Sequence, residues 1–248
     1  MLESTNSKHL YVVSSLHTTP EATVNVQNQI WDIIEVRLMV IEALAKTLGK
    51  GAFFNDNADA ELAESANYII ENHDLATIRT TVMELLYKGD SALGSYEFYT
   101  MIELFKRLRE KKKKFTFKVT EPVNGDHITY YLREVTDKIN EEENMPDYDV
   151  LGELAKNAIA IMLELRDRNI VNNVERHGEE NNILFIGSAH PLKTLSQSSL
   201  TSSRVEVVGE KKEIVIAGEL PDSLRKSFGK ISPKTKTEKP VKQDIKFL

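Results

Sequence analysis

Two short stretches, one near each end of the chain, share a pattern that could do chemistry. VVSSLHTTP (12–20) and FIGSAHP (185–191) each pass from apolar residues to a small residue, two more residues, and then a histidine: Ser14-x-x-His17 and Gly187-x-x-His190. A small residue after a strand lets the backbone turn tightly and approach a neighbour or a ligand. The histidine then stands just beyond the carboxyl end of its strand, where open α/β sheets place their ligands. Two such histidines on adjacent parallel strands could converge on one divalent metal ion, or one could act as general base. The plainer alternative is common turn chemistry with a solvated imidazole. Matched spacing at matched strand ends favours the shared site. His9, His73, His127 and His177 have no companion motif and read as surface residues.

Histidines so placed need strands to carry them and helices to connect those strands. HLYVVSSL (9–16) reads as a short buried strand. Pro20 then opens a helical stretch with Val26, Ile30, Ile33 and Ile34 on one face. The run Leu38–Ile41 could continue that helix or form a second strand, and periodicity alone leaves both open. Gly49 and Gly51 close this unit, with FFNDN (53–57) as a loop. Residues 58–110 look helical nearly throughout, with Asp74 and Ser95 as N-caps. FTFKVTEP alternates as a strand does, and Pro122 ends it. A charged helix over 126–146 and a long helix from Tyr148 to Arg176 follow, the latter with a stripe of Leu151, Leu154, Ala158, Ile161 and Leu165. The Ile183–Ile186 strand comes next, then LKTLSQSSL as a short helix, and RVEVV and EIVIAG as strands.

From Asp222 onward the composition turns to Lys, Thr and Pro, so residues 222–248 read as a disordered tail that could dock a protein partner. Short apolar strands interleaved with helices predict an α/β fold: a mixed, largely parallel central sheet flanked by helices. Residues 1–221 would form one domain with a helical insertion at about 58–110.

Composition narrows the function classes. A net charge of -6 provides no general field for nucleic acid. The one basic run, Arg107 to Lys114, is either a phosphate or acidic-lipid patch or a solvated helix end, and no aromatic platform accompanies it. No stretch is long and apolar enough to span a membrane, and the N-terminus lacks the pattern of a secretory signal. With no cysteine, disulfides and thiolate metal sites are excluded, and a reducing, cytoplasmic setting fits.

The order of these parts resembles the TraB/PrgY and Tiki group, within a superfamily that also holds erythromycin esterase and the ChaN haem-binding proteins. Members of that group begin with a strand ending in Gly-x-x-His, followed by a strand carrying a glutamate, a helical insertion, a helix with an "ERD" or "RN" signature, and a second Gly-x-x-His strand. Here the corresponding segments are VSSLH, LMVIE with Glu42, the helical region ending SYEFYTMIELFKRL, LELRDRNIVNNV and IGSAHP. The resemblance covers most of residues 10–200, and each motif is short. It implies that Leu38–Ile41 is a strand ending in Glu42; from the residues alone Glu42 is equally a helix-face carboxylate. Ser14 departs from the usual glycine. The arginine signature is split between Arg166 and Arg168, which lie about 200° apart on a helix, so only one can face a site. Arg166, one turn beyond Met162, is the favoured one. Glu97 resembles a helix glutamate of the superfamily.

What the resemblance implies is hydrolysis of a peptide or ester bond. His17, His190 and Glu42 would hold a divalent metal (Mn, Co or Zn) or activate a water directly, with Arg166 stabilising the oxyanion. Tiki proteins are metal-dependent proteases, whereas erythromycin esterases use a histidine–glutamate base. ChaN-like and PrgY-like relatives point instead to a protein that sequesters a peptide or small-molecule ligand without turnover. A phosphate cradle at Gly187–Ser188 lacks the Gly-x-x-x-x-Gly-Lys pattern.

Overall fold

A computed structural model describes residues 8–15, 24–55, 60–87, 93–120, 148–187, 192–208, 213–232 and 236–238. The strands are β1 (His9–Ser15), β2 (Lys50–Asn55), β3 (Lys114–Lys118), β4 (Asn181–Gly187), β5 (Thr201–Val208), β6 (Glu213–Ala217) and β7 (Lys236–Glu238). The helices are α1 (Val24–Leu48), α2 (Ala60–Asn72), α3 (Leu75–Tyr87), α4 (Leu93–Glu110), α5 (Tyr148–His177) and α6 (Asp222–Ile231). A 3-10 helix covers Lys193–Gln197. The expected charged helix at 126–146 lies outside the described residues.

One seven-stranded sheet runs in the order β3-β2-β4-β1-β5-β6-β7. The first five strands of that order are mutually parallel; β6 is antiparallel to β5, and β7 parallel to β6. The fold is therefore the expected α/β class, with helices α2–α4 inserted between β2 and β3. The central strands are covered on both sides, which is why they read as continuous apolar runs rather than alternating ones. Tyr11, Val13, Ile183 and Phe185 face α1, α2, α4 and α6. Leu10, Val12, Leu184 and Ile186 face Ile170, Val171 and Val174 of α5.

Three expectations are corrected. Leu38–Ile41 is not a strand: it lies in the middle of the 25-residue α1, whose inward face is Val36, Val40, Ile41, Leu44 and Ala45, with Met39 exposed. The period is helical once Leu44 and Ala45 are counted with it. The second strand is instead the segment expected as a loop. Gly49 at φ 83 ends α1, and Lys50–Asn55 enters the sheet with its last five residues buried. Gly51 is needed there, because a Cβ would sit 2.2 Å from the Asn181 carbonyl oxygen.

The third correction concerns the tail. Residues 222–231 form α6, and Leu224 and Phe228, one helical turn apart, are fully buried in the core with α1. Two well-placed apolar residues outweigh a polar composition. Beyond them, Lys236–Glu238 extends the sheet beside β6.

Candidate functional site at the carboxyl edge

β1 and β4 are neighbours in parallel, and their register pairs Ser14 with Ile186 and Ser15 with Gly187. The two matched strand ends therefore stand side by side. Their outgoing connections diverge. From β1 the chain crosses β4 to reach β2, by way of α1 on one face; from β4 it crosses β1 to reach β5, by way of the 3-10 helix on the α5 face. Such divergence makes a topological switch point, where α/β sheets open a crevice for ligands. His17 follows Ser15 by two residues and His190 follows Gly187 by three. Both histidines lie outside the described residues, and Glu97's side chain does too.

Around these strand ends the structure gathers polar groups from separate parts of the chain. Ser14 is completely buried, and its hydroxyl accepts a 3.1 Å bond from Arg204 Nε of β5. The serine that replaces the expected glycine therefore anchors a cation from the next strand. On the α5 face, Asp167 is 1% exposed, and its Oδ2 accepts the Leu192 N–H at 2.6 Å. Leu192 is held in the left-handed region at φ 48, ψ 39, a conformation that costs an L-residue about 1–2 kcal/mol. On the α1 face, Arg37 is 2% exposed, with its guanidinium carbon 4.8 Å from the Phe185 ring centroid. That distance is within reach of a cation–π attraction. At the neighbouring strand ends, Thr120 donates its hydroxyl to the Asn55 carbonyl, and Asn173 of α5 donates to the Thr120 carbonyl at 3.1 Å.

Among the expected site residues, Arg166 is half-buried on α5. Arg168 is exposed and pairs with Glu164 at 3.4 Å, as a solvated-face arginine does. The inward member of the Arg-Asp-Arg run is Asp167, three and four residues before Ile170 and Val171. Glu42 does not join the strand ends. It is ion-paired with Lys46 at 2.6 Å, and it lies five residues, about 7.5 Å along the helix, beyond Arg37 toward the amino edge of the sheet. Glu42 rides on α1 rather than ending a strand, which is where the resemblance implied it. Among the described residues no three His, Asp or Glu groups are placed to share a metal ion.

Arg37, Arg204 and Asn55 escaped the sequence reading. A lone arginine inside the apolar stretch EVRLMV is the one signal that could have marked Arg37. Nothing local marks Arg204, whose partner Ser14 is 190 positions away.

The opposite edge of the sheet is built differently. An open cleft of about 210 Å³ there is lined by Lys50, Gly51, Lys114 and Thr116 on one side and Glu179 and Glu180 on the other. It lies at the strand starts, a full strand length from Ser15 and Gly187. His9, expected at the surface, is half-buried at this edge: its ring sits 4.2 Å from that of Tyr11, and Nε2 lies 3.0 Å from Ser203 Oγ. The Ser203 hydroxyl donates to the Glu219 carbonyl, so Nε2 of His9 is the donor toward serine. Burial lowers the His9 pKa and raises that of Tyr11.

No family model matches the chain, and neither does any curated protein or solved structure.

Proposed function

We propose that the carboxyl edge between β1 and β4 is a hydrolytic site for a peptide or ester bond. The observation behind this reading is the Ser15–Gly187 register pair: the segments that run on to His17 and His190 leave the sheet side by side. One neutral imidazole takes a proton from the attacking water, and a protonated one returns it to the leaving group. Arg166 is assigned to the developing oxyanion. Glu42, on α1 and ion-paired with Lys46 at 2.6 Å, has no role in this form of the reading. A divalent Mn, Co or Zn ion on the two histidines would therefore need a third ligand from elsewhere. The cytoplasm, a reducing compartment, suits a chain without cysteine.

A second reading, sequestration of a peptide or small molecule without turnover, is favoured by the position of Glu42 on α1 rather than at the strand end where the resemblance implies a carboxylate base. The two readings separate in one experiment. Mn²⁺, Co²⁺ and Zn²⁺ are titrated into wild type and a His17→Ala/His190→Ala double variant by calorimetry, and fluorogenic esters and peptides are turned over in parallel. Turnover that the double variant loses supports hydrolysis. Metal or ligand binding without turnover supports sequestration. Binding or turnover unaltered in the double variant removes the histidines from the site.

A further inference from the structure

We propose that α2 carries a lock on the outer edge of the sheet: the Asn67 amide closes β3 against pairing with the β3 strand of a second copy of the chain. β3 is the terminal strand of the sheet order. Along a strand, successive residues turn their backbone groups to alternate sides. The Lys114 N–H bonds the Gly49 carbonyl at the start of β2, so Lys114, Thr116 and Lys118 turn theirs toward β2 while Phe115 and Phe117 turn theirs outward. Such an outward row is a template for another strand. At Phe117 the row is filled. Asn67 Oδ1 accepts the Phe117 N–H at 3.0 Å, and Asn67 Nδ2 donates to the Phe117 carbonyl at 3.0 Å, so one side chain makes both bonds that a further strand would make. This lateral edge is separate from the strand ends that carry the hydrolytic reading, and nothing in it depends on that reading.

Three features give this contact the character of a lock. Asn67 is flanked at helical spacing by Ala63, Ala66 and Ile70, all buried in the core, so a polar amide stands where an apolar side chain would ordinarily pack. α2 is itself held in place: Lys106 of α4 donates to the Ile70 carbonyl at 2.9 Å, and Arg109 pairs with Glu71 at 3.2 Å. The third feature is register. Two β3 strands meeting antiparallel about a two-fold axis at Thr116 would set Phe115 opposite Phe117 of the second copy, and every cross-chain backbone bond would then use one Phe117. An amide closing Phe117 in each copy removes all of them. The side chains oppose the same register. It sets exposed Lys114 against Lys118 of the second copy on both sides of the axis, and like charges directly opposite repel.

Amide and lysines together give a signature that loss of an ordinary structural bond would not. Sedimentation velocity at about 0.05 M and about 0.5 M NaCl is run on the full chain for wild type, Asn67→Ala and Asn67→Ala/Lys114→Glu. Asn72→Ala is the control, since the Asn72 amide bonds the Tyr68 carbonyl within the same helix. Wild type and Asn72→Ala stay monomeric. Asn67→Ala dimerises at least about ten-fold more tightly than wild type, and more so at the higher salt, which screens the lysines. Adding Lys114→Glu tightens the dimer about five-fold further at low salt and reverses the salt trend, because a carboxylate then faces Lys118 of the second copy. Asn67→Ala that stays monomeric at both salts overturns the proposal. So does wild type that dimerises as tightly as Asn67→Ala, or Asn72→Ala that dimerises alongside it, since a general loosening of α2 would then be the cause. A dimer that Lys114→Glu leaves unchanged or weakens forms through another surface, and overturns it as well. Should Asn67→Ala fail to fold, Asn67→Leu, close to asparagine in volume and without donor or acceptor, replaces it in both proteins and is read in the same way.

Discussion

The two edges of this sheet are satisfied in different ways. At the amino edge, buried polar side chains close on nearby backbone. Asn182 is fully buried, and its amide accepts the Glu179 N–H at 2.8 Å while donating to the Glu179 carbonyl at 2.8 Å and the His9 carbonyl at 3.2 Å. Half-buried Glu175 takes the Ser199 N–H at 2.7 Å, and Lys8 caps the Glu175 carbonyl. At the carboxyl edge the buried groups include two charges, Arg37 and Asp167, on helices that cover opposite faces of the sheet, beside the neutral Ser14, Asn55 and Thr120. Neutral amides knit loops at little cost, whereas buried charges carry a desolvation penalty that stability alone seldom justifies. The difference marks the amino edge as scaffold and the carboxyl edge as the place where the fold tolerates expense.

The largest expected effect tests the scaffold half of that contrast. Asn182→Ala leaves the Glu179 N–H and carbonyl and the His9 carbonyl without the Asn182 amide. Water can replace part of what exposed Glu179 loses, so the loss should be about 2 kcal/mol in urea unfolding. Ligand or metal affinity of the folded fraction should stay at the wild-type value. An affinity that falls with stability would dissolve the distinction between the edges.

How much of this was legible beforehand follows from how local each signal is. The strands β1, β3, β4, β5 and β6 could be read because each is an apolar or alternating run bounded by turn residues. β2 could not: its two burying faces are supplied by Ala52 and Phe54 on one side and Phe53 on the other, and flanking glycines give it the look of a loop. Likeness to a family then moved the strand to Leu38–Ile41, where α1 runs. Asp74 was readable as a cap, since its Oδ1 accepts the Thr77 N–H at 2.7 Å three residues on. The paired strand ends were readable because the spacing of Ser14 and Gly187 to their histidines is written twice. The groups that surround those ends were not, because Arg37, Asp167 and Arg204 reach the edge only through the sheet order.

A smaller, pH-dependent effect belongs to the amino edge. Burial lowers the His9 pKa from its ordinary value of 6.5, so the unfolded chain takes up a proton more readily than the folded one. Stability from this group is therefore complete above about 6.5 and is lost as pH falls below it, until the depressed folded value is passed. His9→Gln, which keeps a donor toward Ser203, should flatten the fall in unfolding midpoint between neutral and mildly acid pH. An unchanged slope would mean that other groups set the acid response.

The smallest effect separates neighbours on one helix. Arg168 and Glu164 pair at 3.4 Å, with side chains 55% and 54% exposed, and such pairs contribute little because water already screens both charges. Arg168→Ala should cost below about 0.5 kcal/mol in urea unfolding and leave hydrogen exchange at the Leu192 amide untouched. Asp167, one position before it, carries the opposite charge and is buried, because helical geometry turns it about 100° toward the strands. If Arg168→Ala disturbed Leu192 exchange as loss of the Asp167 acceptor would, the effect would belong to the helix as a whole. Silence at 168 beside a response at 167 would instead confine it to the one carboxylate that faces inward.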